Sequence, residues 1–375
     1  MVQIDTQQLP SAATRRPFTP NSHNKRSRHT RVGANIVVGN GPPTRYFRGE
    51  HGGRQIFVDV LTQFAQQSRN PRLTPIIRRA SAPVRVAVPG RRGVGRATVS
   101  AALADAGVAV TTDAADVTVL VVAETLKPED LLAANRSDRR MVILNKADLT
   151  AFGDGGPLAA AQRHASAIGA LADAPTVAMV GLLADTELDA ELMAALRTLV
   201  HAPADLTSTD AFVESEHPLP GAVRQRLLDT LDRFGIAHAV LAVENGADVA
   251  AVRAHLHRTS RIDEAVAQVT ALGAPIRYRR VRAAIDELRS LAMRSGDHQL
   301  ADFLVTDDTV LAVMGAAVEA VEADGVQVDR GDCPAAHRRR ALYWRRYGRG
   351  PVNALHRSCS ADISRGSLRL LGRSR

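Results

Sequence analysis

Val84-Arg85-Val86-Ala87-Val88-Pro89-Gly90-Arg91-Arg92-Gly93-Val94-Gly95-Arg96-Ala97-Thr98 runs from an apolar strand through a glycine-rich turn into a helix that continues to about Ala106. A turn of this kind presents backbone N–H groups, with a helix N-terminus behind them, to a phosphate. The same glycines also suit a strand–helix turn that merely packs closely, since glycine permits tight backbone approach. Outward from this stretch the pattern alternates. Gly107–Thr112, Val117–Val122, Met141–Leu144 and Thr176–Val180 read as strands, and Pro128–Ala134, Ala159–Ala172 and Leu188–Val200 as helices. Strands separated by helices of this length predict a parallel α/β sheet.

A second segment, Met141-Val142-Ile143-Leu144-Asn145-Lys146-Ala147-Asp148, places N-K-x-D directly after an apolar strand, which resembles the guanine-specificity motif of GTP-binding proteins. The Asp148 carboxylate suits the paired N1–H and exocyclic amine donors of guanine, which adenine lacks. The Asn145 amide suits bracing of the loops and base edge, and the Lys146 stem can lie along a ring. A polar turn capping the next helix is the plainer reading. The chain has only three lysines, Lys25, Lys127 and Lys146, so one at this position adds weight to the functional reading. Thr176–Val180 followed by Gly181 and Leu182 forms a third strand–loop unit of matching spacing.

Together these segments resemble the translation-factor-like GTPase superfamily over about 84–200, roughly a third of the chain. The resemblance implies a three-layer, parallel-sheet P-loop domain. It assigns phosphate contacts to Gly90, Arg91, Arg92, Gly93, Val94, Gly95, Arg96 and Ala97, and base contacts to Asn145, Lys146, Asp148, Gly181 and Leu182. The pattern also departs from the family. Arg96 stands at the lysine position of G-x-x-x-x-G-K-[ST], Ala97 at the magnesium-ligating hydroxyl, and Gly181-Leu182 where Ser-Ala is usual. Only 55 residues separate Gly90 from Asn145, and the missing stretch is where both switch regions belong. Asp113-Ala114-Ala115-Asp116 is the nearest remnant of D-x-x-G. The implication is a pseudo-GTPase that binds GTP or GDP, with doubtful magnesium and little or no hydrolysis.

The alternative is a Rossmann-type dinucleotide site. Gly90, Gly93 and Gly95 open a β-α-β unit that ends at Asp113, where an acid meets ribose hydroxyls. The spacing there is G-x-x-G-x-G, and 145–148 are left without a role.

The net charge of +9 over 375 residues is unevenly spread. Residues 1–83 carry 13 basic and 3 acidic side chains, 331–375 carry 11 and 2, and the middle carries 24 and 34. We therefore expect a disordered basic arm (1–53), an amphipathic helix and linker (54–83) and the GTPase-like domain (84–202). A linker (203–220), a mainly helical domain (221–330) and a basic Arg/aromatic C-terminal helical arm (331–375) follow, with the basic termini flexible. Within 221–330, 221–234, 247–258, 261–271, 280–294 and 309–322 read as helices and Ala237–Val243 as a strand. The C-terminal arm interleaves Arg338, Arg339, Arg340, Arg345 and Arg346 with Tyr343, Trp344 and Tyr347. That pattern suits nucleic acid or an anionic surface, or a helix that docks its aromatics on the body. Cys333, His337, His356 and Cys359 offer zinc-type donors at unusual spacing. Two cysteines, no apolar run of roughly 18 residues and no N-terminal apolar signal region predict a cytoplasmic protein. A non-catalytic interaction protein, using its helical half and arms on a protein or nucleic-acid partner, is the third reading.

Overall fold

The computed structural model describes residues 52–134, 139–150 and 155–374, all within one compact unit spanning 43–375. The expected disordered segment 1–53 lies outside the described residues except for Gly52 and Gly53. Five strands, β1 (Arg85–Ala87), β2 (Ala109–Val110), β3 (Val117–Val122), β4 (Arg140–Leu144) and β5 (Thr176–Ala178), form one all-parallel sheet in the order β2-β1-β3-β4-β5. The register pairs Val86 with Val110 and Val117, Val119 with Met141, and Ile143 with Val177. Strand order reverses between β1 and β3, which makes the crevice at their carboxyl ends the topological switch point of a doubly wound sheet.

Alternation along the strands sorts side chains to two faces. Leu120, Val122, Val142, Leu144 and Ala178 pack beneath α5 (Gly156–Ala172), α6 (Ala190–His201), α8 (Gly221–Glu244) and α9 (Val249–Ser260). Val117, Val119, Val121, Met141, Ile143 and Val177 face α3 (Arg96–Asp105) and the start of α10 (Ile262–Ser295). The sheet is thus sandwiched between helices. Two short helices, α4 (Pro128–Ala134) and α7 (Thr209–Glu214), complete this half.

A separate, all-helical core gathers α1 (Gly53–Ser68), α2 (Thr74–Ser81), the later part of α10, α11 (His298–Phe303), α12 (Asp307–Ala323), α13 (Pro334–Tyr347) and α14 (Ala354–Arg373). At its centre α12 is buried from Thr309 to Val318. A Cβ at Gly53 would stand 2.0 Å from the Ala316 backbone nitrogen, so only glycine lets α1 cross there.

The helical half is therefore divided differently from the sequence expectation. Residues 221–260 belong to the sheet, while 53–81 join 276–373. Ala237–Val243 is helical rather than a strand. Gly235, Ile236 and Ala239 are buried at helical spacing against Val252 and Leu256, and a short apolar run cannot distinguish the two states by itself. The expected helices 261–271 and 280–294 are one 34-residue helix that carries Pro275 internally. The 331–375 segment is not a flexible arm. Ala336, Ala341 and Trp344 of α13 and Cys359, Ile363 and Leu370 of α14 form apolar stripes buried against the helical core. The Arg340 guanidinium, 1% exposed, is satisfied by Ser367 Oγ, the carbonyls of Asp329 and Gly331, and His337 Nδ1.

Candidate functional site

The loops that leave β1, β4 and β5 converge at the carboxyl edge of the sheet. After β1, Gly90 bridges to Val121, and a Cβ there would lie 2.7 Å from the Val121 carbonyl. Gly93 and Gly95 adopt φ of +89° and +81°, a region open to glycine at little cost. Gly95 then caps α3, whose first N–H groups, from Arg96 to Thr98, have no intrahelical partner. Val94 turns inward to the core, and Arg92, Arg96 and Ala97 are exposed.

Asn145 holds this loop in place. Its Nδ2 donates to the Val94 carbonyl at 3.0 Å, and its Oδ1 accepts the Gly181 N–H at 3.0 Å. The residue is 4% exposed. Glycines face it on both sides: a Cβ at Gly95 would stand 2.3 Å from Nδ2, and one at Gly181 2.9 Å from Oδ1. Gly181, at the place where the resembling family uses serine, is buried and contributes its N–H to the brace. Leu182 beside it is partly exposed.

Lys146, at φ +57°, turns the chain so that Ala147–Leu149 forms a 3₁₀ turn. Lys146 itself is exposed and Asp148 half-buried. Asp148 opens into a cleft of about 670 Å³ whose walls include Leu149, Pro157, Asp232, Phe234, His238 and Leu241. Burial pushes its carboxyl above the ordinary carboxylate range, and Asp232 adds to the rise. A backbone N–H bond and Lys146 oppose it.

The sequence reading missed the α8 wall of this cleft. Asp232 breaks the helix with φ +55° and ψ 172°, a conformation that costs a non-glycine residue about 1–3 kcal/mol. Its Oδ1 accepts the Arg233 N–H at 2.6 Å. Phe234 packs against His238 in a tilted arrangement, with ring centroids 4.4 Å apart. Nothing in the Leu231-Asp232-Arg233 sequence signals a break, because neither glycine nor proline is present. The scarcity of aromatic residues was the one available pointer to Phe234.

Arg91 is engaged within the protein. Its Nε donates to both oxygens of Asp130, at 2.9 and 3.1 Å, and Nη2 donates to the Thr125 carbonyl at 3.3 Å. Asp130, 1% exposed, also takes the Lys127 N–H. Arg91 therefore ties the β1 loop to the β3 exit across the switch-point crevice. Asp116, in the turn before β3, accepts the Arg85 N–H and pairs with Arg280 at 2.8 Å. Asp113 follows β2 on the same edge of the sheet and is exposed.

The zinc-type donors do not assemble. Cys333 is exposed and Cys359 buried, His337 accepts from Arg340, and His356 lies between Tyr347 Oη at 2.7 Å and Asp324 Oδ2 at 3.0 Å. Among the described residues no group of three or more His, Cys, Asp or Glu side chains is arranged to hold a metal. No described helix is long and apolar enough to cross a membrane. No protein-family model, curated protein or solved structure matches this chain.

Proposed function

We propose that this protein binds a guanine nucleotide at the carboxyl edge of its sheet and hydrolyses it slowly, if at all. The observation that carries the reading is Asn145, buried between Val94 and Gly181, which joins the glycine-rich loop to the loop after β5 while leaving Asp148 open to a cleft. A two-sided side-chain brace of that kind is what N-K-x-D chemistry needs from its asparagine. A dinucleotide site would give 145–148 no role. In this reading the phosphates meet the N-terminus of α3, with Arg92 and Arg96 beside it. Asp148 accepts the guanine N1–H and amine, and the apolar walls from Leu149 and Phe234 flank the base.

Slow turnover follows from the residues present. Ala97 has no hydroxyl for a metal. The chain between α3 and β3 supplies only β2 and the 111–116 turn, whose Asp116 is already engaged by Arg85 and Arg280. Positioning of an attacking water and of a metal thus have no evident side chain to perform them.

Titration calorimetry with GDP, GTP and ATP, each with and without magnesium, tests the reading. GDP binding without ATP binding is expected, weakened by Asp148→Asn and redirected toward xanthosine diphosphate, whose base offers an acceptor where guanine offers its amine. Failure of every guanine nucleotide to bind at millimolar concentration overturns it. NADH binding in their place favours the dinucleotide site.

A further inference from the structure

The C-terminal helices bury Trp344 yet present a face with a consistent chemistry. On the outer side of α13, Arg338, Leu342 and Arg345 follow one another at helical spacing, with Tyr343 and Arg346 alongside and Arg349 in the turn just past the helix. Leu342 is 57% exposed and Tyr343 55%, and Leu368 of α14, across the groove between the two helices, is 57% exposed. Arg338, Arg345, Arg346 and Arg349 are all exposed, and none makes a side-chain hydrogen bond or ion pair among the described residues. Other arginines nearby are neutralised: Arg339 pairs with Asp329 at 3.1 Å, and Arg369 with Asp307 at 3.5 Å. From 333 to 373 the only acidic residue is Asp362. It is 3% exposed and turned inward to Tyr278, whose hydroxyl donates to it at 2.8 Å.

We infer that this α13–α14 face rests on an anionic phospholipid bilayer, with Leu342, Tyr343 and Leu368 entering the headgroup–acyl boundary and the four unpaired arginines meeting lipid phosphates. Aliphatic side chains gain by leaving water for the acyl boundary. Arginines at the rim keep their charge at the phosphate level while their stems lie along apolar surface. Nucleic acid fits the same charge less well. Exposed leucines offer no face on which a base can stack, and Tyr343 already lies over Tyr347, with ring centroids 6.2 Å apart. The inference uses none of the residues assigned to the nucleotide.

Co-sedimentation of the full chain with vesicles tests it. Vesicles of phosphatidylcholine mixed with phosphatidylglycerol are expected to carry the protein down, and phosphatidylcholine alone to leave it in the supernatant. At about five-fold per basic residue, Arg338→Glu combined with Arg345→Glu is expected to lower partitioning at least twenty-five-fold. Leu342→Ser combined with Leu368→Ser is expected to lower it about ten-fold. All four positions are exposed, and an unchanged melting temperature confirms that the variants fold. Equal partitioning to the two vesicle types, or none to either, overturns the inference. So does unaltered partitioning of the leucine variant, or tighter, arginine-dependent binding to single-stranded RNA than to the anionic vesicles.

Discussion

A methyl group added to Gly95 would stand 2.3 Å from the Asn145 amide nitrogen, while one added to Gly93, two residues earlier, would meet nothing within 4 Å. Both glycines have positive φ, so the backbone cost of alanine is similar, about 1 kcal/mol. Only at Gly95 does the substitution also dislodge the brace. Gly93→Ala is expected to cost about 1 kcal/mol and Gly95→Ala about 2–4 kcal/mol. Urea unfolding of the two variants side by side measures the gap, and equal losses would refute a tight Gly95–Asn145 contact.

Removing the brace itself leaves two partners stranded. Asn145→Ala deprives the Val94 carbonyl and the Gly181 N–H of their hydrogen bonds, each worth about 1–3 kcal/mol when left unsatisfied in the interior. With partial relaxation, a loss of about 2–3 kcal/mol is expected. Amide exchange should accelerate in both 90–96 and 181–183. Acceleration in only one of the two loops would show that Asn145 does not couple them.

The three arginines of the glycine-rich loop are expected to separate cleanly. Arg91→Ala leaves the buried Asp130 carboxylate with one backbone N–H, a loss of about 2 kcal/mol given that Arg91 is itself partly solvated. Arg92→Ala and Arg96→Ala, both at exposed positions, should change stability by less than about 0.5 kcal/mol. Affinity for GDP should follow the reverse order. Thermal unfolding and calorimetry on the same three variants supply both rankings.

Asp148 supplies a pH-dependent test. Its carboxyl is held above the ordinary range by burial, with Asp232 reinforcing the rise. A raised carboxyl favours the fold while protonated. Its contribution is therefore complete below about pH 4, the unfolded-state value, and is lost as pH rises through the folded-state value. At neutral pH the ionised side chain thus weighs against the ligand-free fold. Asp148→Asn is expected to raise the melting temperature at pH 7 and to leave it unchanged below pH 4, while weakening GDP binding. A variant less stable than the parent at pH 7 would contradict this placement.

The two cysteines should differ in reactivity. Burial pushes the Cys359 thiol up to about 12, whereas Cys333 is exposed. Thiol attack requires the thiolate. One cysteine is expected to react with a disulfide reagent in the native protein at pH 8, and two in denaturant. Two fast thiols in the native state would show that the C-terminal helices do not hold their packing.

The parallel sheet was legible in the sequence because its central strands, β3 and β4, are apolar runs and helix-length segments separate most of its strands. Val117–Val122 matches to the residue. The bracing Asn145 was legible for a different reason: the N-K-x-D motif after an apolar strand resembles one whose asparagine braces neighbouring loops. Long-range burial was not legible. Docking of the aromatics was among the readings of the C-terminal charge run, and Trp344 is 1% exposed in the helical core, but burial of Arg340, also 1% exposed, depends on Ser367, Gly331 and Asp329 meeting the guanidinium from distant positions. Asp232 was hidden similarly, since a helix break without glycine or proline is imposed by packing on both sides rather than by local preference. The expected pair of helices 261–271 and 280–294 is one continuous helix that runs through Pro275.

Helix α10 gives Ile262, Ala265 and Val269 to the sheet's outer face and Tyr278, Val281, Ile285 and Leu288 to the helical core. At about 1.5 Å per residue its 34 residues form a rod of about 51 Å. Each residue along that rod also advances its facing direction by about 100°. The two halves are therefore phase-locked. Inserting a single residue between Val269 and Tyr278 would swing one contact face a quarter-turn away from its core, whereas a seven-residue insertion would return it nearly to register. Separation between the halves is thus quantised in turns of one helix rather than set by the length of a linker.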